Sequence, residues 1–122
     1  MERKTILVAD DEAIIGSFVK QVLERAGYNV LLANDAAGAM ALYEKHQAEV
    51  ALLLTDVIMP DISGLALADW VLACEPTARI LLMSGSNLRE SRGHGCLQKP
   101  FRAAQLTERV AEVFRCRELE LG

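Results

Sequence analysis

Long apolar runs, paired cysteines and a surplus of positive charge are all missing from this chain, and each absence excludes a class of protein. Although 52% of the 122 residues are hydrophobic, no run approaches the roughly 20 residues that a membrane helix needs. Membrane insertion is therefore not expected. The N-terminus offers Glu2-Arg3-Lys4 and then only Thr5 to Ala9 before acids arrive, too short an apolar stretch for a signal peptide. Three cysteines, Cys74, Cys96 and Cys116, are odd in number and lack metal-site spacing, so they read as reduced thiols. The net charge is −4 and no basic stripe is interleaved with aromatics, so direct nucleic-acid binding is not expected. What remains is a soluble cytoplasmic protein, with positions 1–122 forming a single domain large enough to bury a core without cross-links.

Strand-like and helix-like segments alternate along the chain. Thr5 to Ala9 is a short apolar run that stops at Asp10-Asp11-Glu12. Ile15, Phe18, Val19, Val22 and Leu23 then recur at helical spacing and predict one inward face, with Gly27 placed as a C-terminal cap. A second strand is expected at Asn29–Ala33. Asn34 and Asp35 are candidate caps for a helix from Ala36 to His46, with Ala39, Leu42 and Tyr43 inward. Val50 to Thr55 is almost wholly apolar, as a strand covered on both faces should be. A third helix follows Gly64 and ends at Glu75-Pro76; strands are predicted at Arg79–Met83 and around Cys96–Gln98, and a last helix over about Ala104–Glu118. Such alternation calls for a doubly wound α/β domain with a five-stranded parallel sheet.

In such a sheet, ligands gather beyond the carboxyl ends of the strands. Here the strands end on Asp10-Asp11, Asp56, Ser84 and Lys99. In the 2-1-3-4-5 order the first and third strands are neighbours, so three carboxylates converge. Left alone they repel one another; a hard divalent cation such as Mg²⁺ relieves that, since it takes oxygen ligands and phosphate. A carboxylate nucleophile, a metal and an ammonium suit phosphoryl transfer. Each residue also has a plainer reading: Asp56 and Ser84-Gly85 as turn formers, the acidic triplet as the charged start of a helix, Lys99 as a solvated charge. Four strand ends offering one chemistry favour the site.

These residues resemble the receiver domain of two-component response regulators, the CheY-like family. The likeness rests on Asp10-Asp11, the D-x-x-M-P-x-x-x-G pattern from Asp56 to Gly64, Ser84-Gly85 and Lys99-Pro100-Phe101, in order along the whole chain. It implies the flavodoxin-like receiver fold, with Asp56 as phosphoacceptor and Mg²⁺ held by Asp10, Asp11, Asp56 and the backbone carbonyl of Ile58. Ser84 would be the switch hydroxyl, Lys99 would contact the acyl phosphate, and the Lys99-Pro100 bond would be cis. By the same likeness the phosphoryl donor is a histidine kinase or a histidine phosphotransfer protein. A downstream protein reads the switch, and the domain catalyses both its own phosphorylation and slow hydrolysis.

The chain departs from that pattern in three places. Only a short segment separates Ser84 from Lys99, so the helix between the fourth and fifth strands should be short or absent, and coupling from Ser84 should run through the loop Asn87–His94. Cys96 stands where relatives place a switch aromatic; a thiol cannot swing a ring inward, and it reads as a small core residue. Ile58 is apolar where many relatives carry a polar side chain, which implies slow loss of the phosphoryl group. Trp70 reads as a packed helix residue.

No effector domain follows the last helix within this chain. A stand-alone receiver or part of a longer regulator is expected, and the S-G…L-Q-K-P-F wording resembles receivers attached to hybrid histidine kinases. The rival functions are a phosphorylation-independent interaction module, a phosphohydrolase and a flavodoxin-like electron carrier. The hydrolase would need a second Asp just after the nucleophile, where Val57 and Ile58 stand. The electron carrier would need a phosphate-cradling loop where Asp10-Asp11-Glu12 lies.

Overall fold

Nine elements follow one another in the computed structural model, which describes the backbone of residues 3–85 and 92–121 and the side chains as far as residue 115. They are β1 (Thr5–Ala9), α1 (Ala13–Arg25), β2 (Asn29–Ala33), α2 (Ala36–His46), β3 (Val50–Asp56), α3 (Gly64–Cys74), β4 (Ile80–Ser84), β5 (Gly95–Gln98) and α4 (Ala103–Leu121). The sheet runs β2-β1-β3-β4-β5 with every pair parallel. The helix expected to be short or absent would fall between β4 and β5, where residues 86–91 lie outside the described residues, as does most of the Asn87–His94 loop. Among the described residues four helices are present, and none is long and apolar enough to cross a membrane.

Successive strand side chains point to opposite faces, so an unbroken apolar strand feeds two cores. On one face Leu7, Ala9, Leu53 and Leu82 meet α2 and α3 through Ala39, Tyr43, Leu67 and Val71. On the other Ile6, Val8, Leu54 and Met83 meet α1 and α4 through Val19, Leu23, Leu106 and Phe114. A fully buried leucine stabilises such a fold by about 2 kcal/mol. Tyr43 and Trp70 pack edge-on, ring centroids 5.8 Å apart, and join α2 to α3. Trp70 is thus a packed helix residue.

One expectation changes at the surface of α1. Phe18, placed inward by its spacing, is 37% exposed and lies beside Phe101, with ring centroids 6.4 Å apart. Gly16 takes the buried place instead: a Cβ there would sit 3.1 Å from Leu32, so α1 comes close to the sheet where it has no side chain. At the other end of α1, Gly27 adopts φ +101°, the left-handed conformation of a C-terminal cap. Boundaries shift slightly elsewhere: β3 includes Asp56, β4 begins and ends one residue later than expected, and α4 continues to Leu121.

The start of α2 is held by two aspartates. Asp35 accepts from the Gly38 N–H (2.7 Å); Asp61, from the loop after β3, accepts from Ala36 (3.2 Å) and Ala37 (2.9 Å). The N–H groups of the first turn have no partners within the helix, so these bonds complete it. Asn34 supplies no cap among the bonds described.

Candidate functional site

β1 and β3 lie side by side, Ala9 in register with Thr55, so their next residues, Asp10 and Asp56, emerge together at the carboxyl edge of the sheet. Backbone bonds fix both. The Asp10 N–H donates to Ala33 O (3.1 Å), and the Val57 N–H donates to Met83 O (3.0 Å). One carboxylate oxygen from each of Asp10, Asp11 and Asp56 lies within 4.8 Å of the others. Asp10 and Asp56 are buried while Asp11 is exposed, which leaves the cluster open to solvent on one side.

Lys99 arrives from the end of β5, its N–H donating to Ser84 O (2.7 Å), and the Lys99-Pro100 bond is cis. Its ammonium donates to Asp10 Oδ2 (2.9 Å), Glu12 Oε1 (3.1 Å) and Asp56 Oδ2 (3.3 Å). The Asp10 side chain is 0% exposed and that of Lys99 12%; an ion pair this dry is held in part because each charge needs the other. The remaining Asp10 oxygen accepts from the Glu12 N–H (2.9 Å). Each Asp10 oxygen thus holds one hydrogen bond, and Asp56 has the longest of the three bonds to the ammonium.

Electrostatics follow from this geometry. Burial opposes the charge on Lys99, yet the hydrogen bonds to Asp10 and Glu12 and the charges of Asp10 and Asp56 outweigh it and hold the ammonium well above its usual range. Burial pushes the Asp56 carboxyl up; the Lys99 charge pulls it down, the Asp10 charge adds to the rise, and hydrogen bonds from Lys99 and Ile58 oppose it. A carboxyl raised in the fold costs stability where it is ionised, and that cost fades as pH falls toward its unfolded value. With EDTA present, Asp56→Asn is therefore expected to raise the urea midpoint at neutral pH. The gain should shrink as the pH approaches 3.8, the ordinary value. An equal or lower midpoint at neutral pH would contradict this account.

Three carboxylates, Asp10, Glu12 and Asp56, share one ammonium, and a fourth, Asp11, lies beside Asp10 and Asp56. Oxygen donors so close together, with excess negative charge and an open side, fit a hard divalent cation. Ser84 is buried at the end of β4, in register with Gln98, one residue past Met83, the partner of Asp56. Ile58 follows Asp56 with its side chain 73% exposed. Cys96 is half-buried against the core face of α2 and α3, and burial pushes its thiol pKa up, as for a core residue.

Two residues near the acids carry roles that the sequence alone did not assign. Glu12 shares Lys99; its signal was its place as third acid in the Asp10-Asp11-Glu12 run. Asp61 binds α2; no local pattern marks it, because its partners lie at 36 and 37. Further along, Arg92 pairs with Asp69 of α3.

Comparison with known proteins gives a consistent result. The profile of the family described as response regulator receiver domain matches residues 6–111. The chain is 31% identical to the response regulator receiver protein CpdR of Brucella abortus, over 90% of this chain and 96% of that protein. It is 34% identical to the DNA-binding transcriptional regulator NtrC of Rhizobium meliloti, over 94% of this chain but 24% of that protein. Among several curated relatives it matches, the chain spans half the length or less. The crystal structure of the receiver domain from the hybrid histidine kinase CckA superposes with a TM-score of 0.80 at 34% identity, covering 89% of this chain and 97% of that one.

Proposed function

This chain belongs to the response regulator receiver domain family, and from that premise we propose that Asp56 is its phosphoacceptor, with residues 1–122 acting as a single receiver domain. The observation that carries the assignment is the Lys99 ammonium bonded to both Asp10 and Asp56 at the carboxyl edge of the sheet. Receiver domains of response regulators work in two-component phosphorelays.

Mg²⁺ held by Asp10, Asp11, Asp56 and the Ile58 carbonyl would supply positive charge to the oxygens of the transferring phosphoryl group. An Asp56 carboxylate oxygen attacks the phosphorus of a partner's phosphohistidine. The P–O bond forms as the P–N bond breaks, and the electron pair leaves with the imidazole. Asp56 suits this role because it is buried, fixed by β3 and less tightly bonded to Lys99 than Asp10 is. Lys99, already in reach, turns toward the added phosphoryl oxygens, and Ser84 offers them its hydroxyl. New partners in one state only bias an existing equilibrium between conformations. Neither Val57, which is buried and apolar, nor Ile58 can act as the acid or base that would hydrolyse the product quickly, in keeping with a phosphoryl group that persists.

The partners are a histidine kinase or a histidine phosphotransfer protein as donor, and a protein that reads the phosphorylated form. Ile14 and Ile58, each two residues past an acid of the cluster and 84% and 73% exposed, suit contact with a protein donor. The unpaired Cys74 and Cys96 suit a reducing, cytoplasmic setting. Incubation with Mg²⁺ and acetyl phosphate, followed by intact mass measurement, is expected to give an alkali-labile phosphoryl adduct that Asp56→Asn lacks. An adduct of equal yield on Asp56→Asn would overturn the assignment.

A further inference from the structure

The loop between β3 and α3 carries the Ile58 carbonyl, and its two ends are held differently. At the near end, Val57 is tied on both sides: its N–H donates to Met83 O (3.0 Å), and its carbonyl accepts from the Gly64 N–H (2.7 Å). Met59 is buried against the core. Beyond Pro60, the Asp61 carboxylate reaches across to α2, taking the N–H of Ala36 on one oxygen and that of Ala37 on the other.

That contact does more than close a helix end, because of what Ala36 and Ala37 follow. The preceding strand ends at Ala33, whose carbonyl receives the Asp10 N–H (3.1 Å). The stretch from Ala33 to Ala37 therefore holds Asp10 at one end and Asp61 at the other. Through it the β1 half of the acid cluster is braced against the β3 loop. α2 has no acidic residue in its own first turn, so Asp61 brings the negative charge that a helix N-terminus favours. The N–H groups of Ala37, Ile62 and Ala36 hold its carboxyl below the usual range despite its exposed position.

We propose that Asp61 is a positioning residue of the metal site, its bonds to Ala36 and Ala37 fixing the β3–α3 loop so that the Ile58 carbonyl and the Asp10 carboxylate stay in register for one cation. The inference rests on the reading of Asp10, Asp11, Asp56 and Ile58 as ligands. Groups that orient metal ligands from behind typically change affinity about 10- to 100-fold when removed.

Asp35 provides the control, since it caps the same helix from its own chain segment, through Gly38, and makes no bond to the loop that carries Ile58 among the described residues. The apparent Mg²⁺ dissociation constant is read from the concentration dependence of thermal unfolding for wild type, Asp61→Ala, Asp61→Asn and Asp35→Ala. Asp61→Ala is expected to weaken Mg²⁺ binding about tenfold. Asp61→Asn, which keeps one acceptor oxygen, should fall between it and wild type, and Asp35→Ala should stay within about twofold of wild type while losing comparable stability as a lost cap. If Asp61→Ala and Asp35→Ala bind Mg²⁺ alike, Asp61 is a helix cap and nothing more, and the inference alone is overturned. If wild type shows no saturable shift with Mg²⁺, the reading of the site falls and this inference with it.

Discussion

Replacing Gly64 with alanine is expected to cost the domain about 3 kcal/mol or more and to abolish phosphorylation with it. A Cβ at this position would overlap the Asp56 carbonyl oxygen and lie 2.9 Å from its carbonyl carbon and 3.0 Å from the Val57 Cα. All three are backbone atoms, so no side chain can swing aside. Gly64 is the first residue of α3, and its N–H donates to Val57 O (2.7 Å), which binds the helix start to the residue after Asp56. Alanine must therefore push α3 away from β3 or displace the Asp56 peptide. Either movement disturbs the acid cluster. The measurements are urea unfolding and the acetyl phosphate reaction; a variant as stable as wild type that still forms the adduct would mean that the turn has slack the geometry does not show.

Lys99→Ala should have two separable effects. Without the ammonium, Asp10 is left buried among acids with no opposite charge, a loss of about 3 kcal/mol for a broken buried pair. A divalent cation can take over that neutralising role, so Mg²⁺ should stabilise the variant more than it stabilises wild type. The rate of adduct formation should nevertheless stay low, by roughly 100- to 1,000-fold, because a positioned positive group aimed at developing charge is missing. Urea titrations with and without Mg²⁺ read the first effect, and initial rates read the second. Equal Mg²⁺ stabilisation of variant and wild type would show that Lys99 does not balance the acids. An unchanged rate would remove it from the reaction.

Comparison of α1 with β3 shows how far the sequence carried. The near-continuous apolar run at β3 could only be satisfied by helices on both faces, and two separate cores lie on those faces. The same reasoning misplaced Phe18, since helical spacing defines a face without defining how closely it approaches the sheet. Gly16 settles that distance, and the ring at 18 moves to the rim beside Phe101. At the site, Asp10, Asp11, Asp56 and Lys99 were legible because each lies at or just past the end of a strand, and parallel strands of one sheet must deliver their ends to one edge. Glu12 was visible as an acid but not as a partner of Lys99. Cys96, read as a small buried core residue, packs against the core but is only half-buried.

By itself, then, the order of residues determined the elements, their parallel arrangement and the edge where acid and base meet. These follow from local periodicity and from the need to bury apolar strands. The tertiary structure alone decided which acid shares the ammonium, how close Gly64 comes to the Asp56 carbonyl, and that Asp61 reaches the start of α2. Those contacts join positions far apart in the chain across distances of a few ångströms, and spacing along a sequence carries no information about such distances until the layers have packed.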